Sequence, residues 1–183
     1  LWKGIDELIN ILNNNNIKTC VYTTGNISLF NEKIEILKSM GLNRIIFSLF
    51  SSDRKQHEDV TKIKGSYNKT ISAIEKCVSL NISTEIHFVP LASNYKELPQ
   101  IARLGKKIGV SNISILRLVP QGRATKHKKE FLSIEQNIEL REIIITLRKQ
   151  GYNIRVGSPY NFLGLEDSKP CNSGTEELTI RPD

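Results

Sequence analysis

Four polar side chains stand where a sheet buried on both faces should be apolar. Ser48 interrupts Ile45-Ile46-Phe47-Ser48-Leu49-Phe50, and His87 interrupts Ile86-His87-Phe88-Val89, with Glu85 two residues earlier. Arg117 interrupts Ile113-Ser114-Ile115-Leu116-Arg117-Leu118-Val119. Parallel strands covered by helices run almost wholly apolar, and a buried charge is costly unless it is paired. Side chains alternate across a strand. Ile46/Ser48/Phe50, Glu85/His87/Val89 and Ile115/Arg117/Val119 therefore each share a face. Ser48, Glu85, His87 and Arg117 are expected to converge on one concave side, with the loop residues Asn26 and Gln121 at the same end. Such a set could hold a polar, anionic ligand: Arg forks onto carboxylates, while Ser and His supply directed hydrogen bonds. The plainer reading is an Arg117–Glu85 pair holding the sheet together beside a satisfied buried His. A Ser/His/Asp hydrolase is excluded at one point, since Ser48 lies inside a strand and not on a G-x-S-x-G elbow.

The elements that must position these residues repeat one cycle five times. A β-branched run gives way to a loop, then to an amphipathic helix closed by Gly or Asn. Strands are expected at Ile17–Thr23, Arg44–Phe50, Ser83–Val89, Asn112–Val119 and Tyr152–Val156. The apolar spacing predicts helices over 3–13, from Asn31 to Met40, from Ser66 to Leu80, after Asn94, and from Ser133 to Lys149. Asn94-Tyr95-Lys96-Glu97 and Ser133-Ile134-Glu135-Gln136 both have capping-box spacing. Ser51–Gly65 reads as a polar loop. Strands alternating with helices mean a parallel sheet, and ligands in such sheets sit at the carboxyl ends of the strands. The fold class is α/β, a partial (β/α) TIM-type barrel incomplete at both ends. After Gly157 the periodicity fails, so 1–157 is read as the barrel core and 158–183 as the start of another module, where Leu178 and Ile180 could open a further strand.

The chain has 183 residues and 39% hydrophobic content, enough for one domain core. No apolar run approaches the roughly 18–20 residues of a membrane span, so no membrane partner is expected. Net charge is +7, read mainly as a solvated Lys-rich surface. Basic residues are dense at Arg123–Lys129 alone, without the interleaved aromatics that a base-stacking platform needs, so nucleic acid is not the expected partner. Cys20, Cys77 and Cys171 are far apart and form no C-x-x-C pair, which argues for a reducing cytoplasm over a disulfide framework.

The order of short segments resembles the radical S-adenosylmethionine enzymes. They are Tyr22-Thr23-Thr24-Gly25-Asn26, Ile46-Phe47-Ser48-Leu49, His57-Glu58, Lys64-Gly65-Ser66-Tyr67 and Asn94 after the third strand. The likeness is to the branch with a C-terminal SPASM or twitch extension, which includes peptide maturases and the pyrroloquinoline-quinone synthesis protein. Leu116 to Ala124 is similar to that family's sixth strand and following loop, and Cys171-Asn172-Ser173-Gly174 to the start of its extension. The family's C-x-x-x-C-x-x-C loop and its Gly-Gly-Glu segment would precede Leu1. Its Thr-Asn-Gly is Thr24-Gly25-Asn26 here. The chain thus reads as a fragment that is inactive alone.

The resemblance implies a full-length oxidoreductase with a [4Fe–4S] cluster and S-adenosylmethionine, generating a 5′-deoxyadenosyl radical that abstracts hydrogen from a peptide or small-molecule substrate. An electron donor such as flavodoxin or ferredoxin would reduce it. Ser48 would bond the nucleoside or methionine part, Arg117 would meet the methionine carboxylate, and Ile115 and Val119 would flank the adenosine. Thr24, Asn26, His87 and Gln121 complete the expected cofactor-binding set, and Cys171 would ligate an auxiliary iron–sulfur cluster. Two other readings stand beside this one. The first is an iron-free (β/α)-barrel enzyme using Glu85, His87 and Arg117 on an anionic substrate. The second is a non-catalytic module binding an acidic peptide or RNA through the basic loop.

Overall fold

The structure, a computed structural model, describes residues 4–26, 30–166 and 178–180. Its strands are β1 (Cys20–Thr23), β2 (Arg44–Ser48), β3 (Ser83–Phe88), β4 (Asn112–Ile115) and β5 (Ile154–Val156). Its helices are α1 (Ile5–Asn14), α2 (Phe30–Ser39), α3 (Arg54–Thr61), α4 (Ser66–Ser79), α5 (Leu98–Ile108) and α6 (Ile134–Lys149). The five strands form one sheet in the order β1-β2-β3-β4-β5, every pair parallel. Sequential order is what an arc of a barrel shows, whereas a doubly wound sheet reverses direction partway. The α/β reading with a partial barrel therefore stands.

The core lies between the sheet and the helices. Val21, Ile45, Phe47, Ile86, Phe88, Ile113, Ile115 and Ile154 meet Ile34 and Leu37 of α2, Ile74 and Cys77 of α4, Ile101 of α5, and Ile144 of α6. Burial in this layer pushes the Cys77 thiol up to about 12. On the other face no helix covers the strands among the described residues, and Tyr22 is 61% exposed there.

The ends of elements differ from the sequence expectations for local reasons. α3 lies inside the stretch read as a polar loop. Asp53 caps it by accepting a hydrogen bond from the Gln56 amide, a signal that apolar periodicity misses because the helix is polar. α2 begins one residue before Asn31, which lies in its first turn. The capping box at Ser133 is present in both directions. Asn94 stands before a 3-10 turn, Tyr95–Glu97, that leads into α5, but its side chain makes no cap bond there. Its Oδ1 accepts from the Leu91 amide and its Nδ2 donates to the Phe50 and Val89 carbonyls, tying the ends of β2 and β3 together. Beyond β5, a 3-10 turn at Ser158–Leu163 packs back on the core, with Tyr160, Leu163 and Leu165 buried. Residues 158–165 thus pack against the core. Leu178 and Ile180 are exposed and in no regular structure.

Candidate functional site

The strand register lines up polar side chains across the uncovered face. Ser48 pairs with His87, His87 with Ser114, and Ser114 with Arg155. One step toward the strand starts, Tyr22, Ile46, Glu85 and Asn112 form a second row. Strand alternation makes both rows face the same way. The inner face is therefore a polar hollow centred on Glu85.

Glu85 is 2% exposed, and its oxygens are well supplied with donors. Asn112 Nδ2 and Ser114 Oγ donate to it, His87 Nε2 lies 3.4 Å away, and Arg155 Nη1 lies 3.5 Å away. Burial alone would raise this carboxyl. The donors from His87, Ser114 and Asn112 outweigh burial and hold it below the usual carboxylate value. The charged form is thus the stable one despite the low-dielectric setting. Tyr22 leans over the same network, its ring centroid 5.3 Å from that of His87. Ser48, half-buried, closes the row on the β2 side.

The loop after β1 borders the hollow at its carboxyl end. Gly25 is buried with φ +68°, and a Cβ there would sit 2.9 Å from Ala73 Cβ and 3.0 Å from the Phe47 ring. Only glycine tolerates that combination. The turn is pinned by the Thr70 hydroxyl donating to the Thr24 carbonyl and by the Gly25 amide donating to Thr23 Oγ1. Thr24 is exposed. The Asn26 Oδ1 atom is buried with no hydrogen-bond partner among the described residues.

Arg117 does not join this set. β4 ends at Ile115, and its Ser114 faces the hollow, so Ile115 turns to the helices and is wholly buried in the core. Arg117 lies two residues beyond the strand. It is exposed, and its guanidinium carbon lies 5.0 Å from the Phe162 ring centroid. The expected convergence of Ser48 with Arg117 is overturned, and so is the Arg117–Glu85 pair, since Arg155 is the arginine at Glu85. Ile115 cannot flank a ligand from the core, and Val119 and Gln121 are exposed beyond the strand. The overlooked signal was the alternation Asn112-Ile113-Ser114-Ile115 followed by Ile154-Arg155-Val156, which marks the polar face of β4 and β5.

The basic stretch folds into two 3-10 turns, Gly122–Lys126 and Lys128–Glu130. Its Glu130 anchors it beside the end of β3, where the carbonyl accepts from the Ala92 amide and the carboxylate from the Ser93 hydroxyl. Among the described residues no three His, Cys, Asp or Glu side chains gather in a metal-binding group. Cys20 is exposed and Cys77 buried. Cys171 lies outside the described residues. No described helix is long and apolar enough to cross a membrane.

Residues 1–105 match the family model of the radical SAM superfamily. A GTP 3′,8-cyclase of Clostridium perfringens (strain SM101 / Type A) is 28% identical over 172 residues, covering 91% of this chain and 51% of the relative. A GTP 3′,8-cyclase of Clostridium botulinum (strain Langeland) is 32% identical over 142 residues, covering 75% of this chain and 44% of the relative. Among solved structures, Streptococcus suis SuiB bound to precursor peptide SuiA gives a TM-score of 0.69 at 16% identity, covering 87% of this chain and 37% of that one. Native anSMEcpe with bound AdoMet and Cp18Cys peptide gives 0.65 at 11%, covering 83% and 45%. At those identities the structural likeness speaks for the fold alone. The chain spans about half the length of the curated relatives it matches.

Proposed function

The chain belongs to the radical SAM superfamily, and on that premise we propose that its inner-face hollow holds S-adenosylmethionine in an enzyme that works by hydrogen abstraction. The match over residues 1–105 carries this reading, and it favours an iron-dependent enzyme over an iron-free barrel. When bound beside a reduced iron–sulfur cluster, the cofactor would supply one-electron chemistry for hydrogen abstraction.

The described residues fit the cofactor better than the cluster. With no group of three ligating side chains among them, no step through the cluster is assigned to this chain. For the cofactor, the unpartnered Asn26 Oδ1 fits a donor, and Ser48 and His87 offer polar atoms along one wall. Ile46 and the Tyr22 ring give that wall apolar surface for a nucleoside. Glu85 fixes the His87 ring through Nε2, which leaves Nδ1 for a ligand. Thr24 and Asn26, held by the Gly25 turn, border the ligand at the carboxyl end. What these residues do is bind, orient and exclude water; the hard chemistry belongs to the cofactor.

For substrate, a nucleotide-like small molecule is favoured over a peptide. The relatives that align over most of the chain carry the name GTP 3′,8-cyclase, whereas the peptide-bound structures share the fold alone. A SPASM- or twitch-like extension with an auxiliary cluster at Cys171, and a flavodoxin- or ferredoxin-type donor, belong to the same proposal. The test is anaerobic incubation of the full-length gene product with S-adenosylmethionine and dithionite. Formation of 5′-deoxyadenosine, reduced in Ser48→Ala, supports the reading; no cleavage after cluster reconstitution refutes it.

A further inference from the structure

One buried imidazole lies outside the hollow and has no part in the reading above. His57 is 1% exposed and is the one fully buried residue of α3, a helix of 8 residues. Helices shorter than about 12–15 residues are marginal on their own, and α3 is polar throughout, so a few named contacts fix it to the body. Its carboxyl end is tied to α4. Glu58 accepts from the Gly65 amide at 2.9 Å, and the Thr61 and Ser66 hydroxyls share a hydrogen bond of 2.8 Å. Its amino end, where the chain arrives from β2, is held by His57. The ring's Nδ1 accepts from the Phe50 amide at 3.3 Å. The ring also packs against those of Phe50 and Tyr67, with centroids 5.9 and 5.8 Å away. The Ser51 and Ser52 hydroxyls, donating to Glu97, are the other fastening at that end.

The His57 fastening holds in one protonation state. Because Nδ1 accepts, the neutral ring carries its hydrogen on Nε2, which is buried without a hydrogen-bond partner among the described residues. A second proton must go to Nδ1. There it faces the Phe50 N–H, donor against donor, and puts a charge where burial disfavours one. The carboxylates around it already have donors. On α3 and its cap, Asp53 accepts from the Gln56 amide, and Glu58 accepts from Arg54 and Gly65. Before α5, Glu97 accepts from Ser51 and Ser52. From α4 comes the Tyr67 phenol, which donates to the Ser52 carbonyl. Burial accordingly lowers the ring's affinity for protons, against a smaller opposing pull from Glu58.

We propose that residues 51–57 form an acid-released strap: protonation of His57 ends its hold on the Phe50 amide, and the strap opens about the Glu58–Gly65 tie while the rest of the fold stays closed. The strap follows closely on Ser48, the last residue of β2, so its release loosens that rim of the inner face. The proposal does not rest on what the inner face binds.

Amide hydrogen exchange in the full-length protein, followed by mass spectrometry between about pH 7.5 and about pH 5.5 and corrected for the intrinsic pH dependence of exchange, reads the opening. Below about pH 6.5, opening over residues 50–61 should grow by up to about tenfold per pH unit, while α6 keeps its protection. In His57→Asn the side-chain oxygen can stand in for Nδ1 without titrating. Exchange over 50–61 should then be independent of pH, whether the strap is held or already open. His57→Phe serves the same purpose if the Asn variant does not fold. Exchange over 50–61 that ignores pH in wild type, that keeps its pH dependence in the variant, or that rises only as much as in α6 overturns the proposal. Cofactor cleavage is a separate readout, so failure here leaves the family reading standing.

Discussion

Ser48 and Arg117 do not meet. Ser48 stands in the inner row beside His87, while Arg117 lies beyond the end of β4 against the Phe162 ring. The inner face is therefore not the one that sequence alternation drew: the arginine on it is Arg155, which lies 3.5 Å from Glu85. Membership of the superfamily does not depend on Arg117, because it rests on the match over residues 1–105.

Arg117→Ala should be nearly silent in stability. An exposed cation–ring contact contributes about 0.5–1 kcal/mol, and no buried partner is left behind. Urea unfolding should shift by no more than that. A loss several times larger would place Arg117 in the core after all.

Removing the Glu85 carboxylate should be severe. Glu85→Ala strands Asn112, Ser114 and His87 in a dry layer and is expected to cost about 3–5 kcal/mol. Glu85→Gln, which keeps an acceptor, should cost about 1–3 kcal/mol. Equilibrium urea unfolding at neutral pH measures both, and equal, small losses would contradict the network.

The same carboxyl should leave a mark on stability in acid. Its folded value is held below the ordinary 4.5 by its hydrogen-bond donors. The unfolded state therefore takes up protons first, so the stabilisation is complete above about pH 4.5 and fades as pH falls below it. Glu85→Gln should flatten that part of the profile, and an unchanged slope would refute the assignment.

His57 should act in a different window. It is 1% exposed, its Nδ1 accepts from the Phe50 amide, and its Nε2 has no hydrogen-bond partner among the described residues. Burial lowers its affinity for protons below the ordinary 6.5, against a smaller opposing pull from Glu58. The unfolded chain binds the proton more readily, so stability falls as pH drops below about 6.5. His57→Phe should lose about 1 kcal/mol at pH 8, from the unmet Phe50 amide, yet show a flatter profile between pH 7 and 5.

Gly25→Ala should destabilise by about 2 kcal/mol or more, combining a left-handed backbone with overpacking against Ala73 and Phe47. Ala73→Gly in the same chain should recover part of the loss. Simple additivity of the two variants in a thermal-melt double-mutant cycle would contradict the close approach.

How much of this was legible beforehand follows from which physical signal each residue carries. The five-fold strand–helix cycle was readable because burial forces apolar periodicity on both elements, and β2 and β3 kept their phase: Phe47, Ile86 and Phe88 do face the helices. β4 lost its phase because alternation was set from Arg117, which lies past the end of the strand at Ile115. A charged residue drew attention from the quieter pair Asn112 and Ser114. α3 escaped because a polar helix shows no apolar stripe, although Asp53 and Gln56 have capping spacing. Asn94 looked like a cap because its local spacing fits one, whereas its partners Phe50 and Val89 come from other strand ends and no local pattern announces them.

The central claim, that the inner face around Ser48 is where S-adenosylmethionine binds, is tested most directly by comparing its dissociation constant for Ser48→Ala and Arg117→Ala in the reconstituted full-length protein. Binding should weaken roughly threefold to tenfold in Ser48→Ala, the worth of one hydrogen bond, and remain unchanged in Arg117→Ala. Weakening in Arg117→Ala with Ser48→Ala indistinguishable from wild type would place the cofactor away from the inner face and contradict the account.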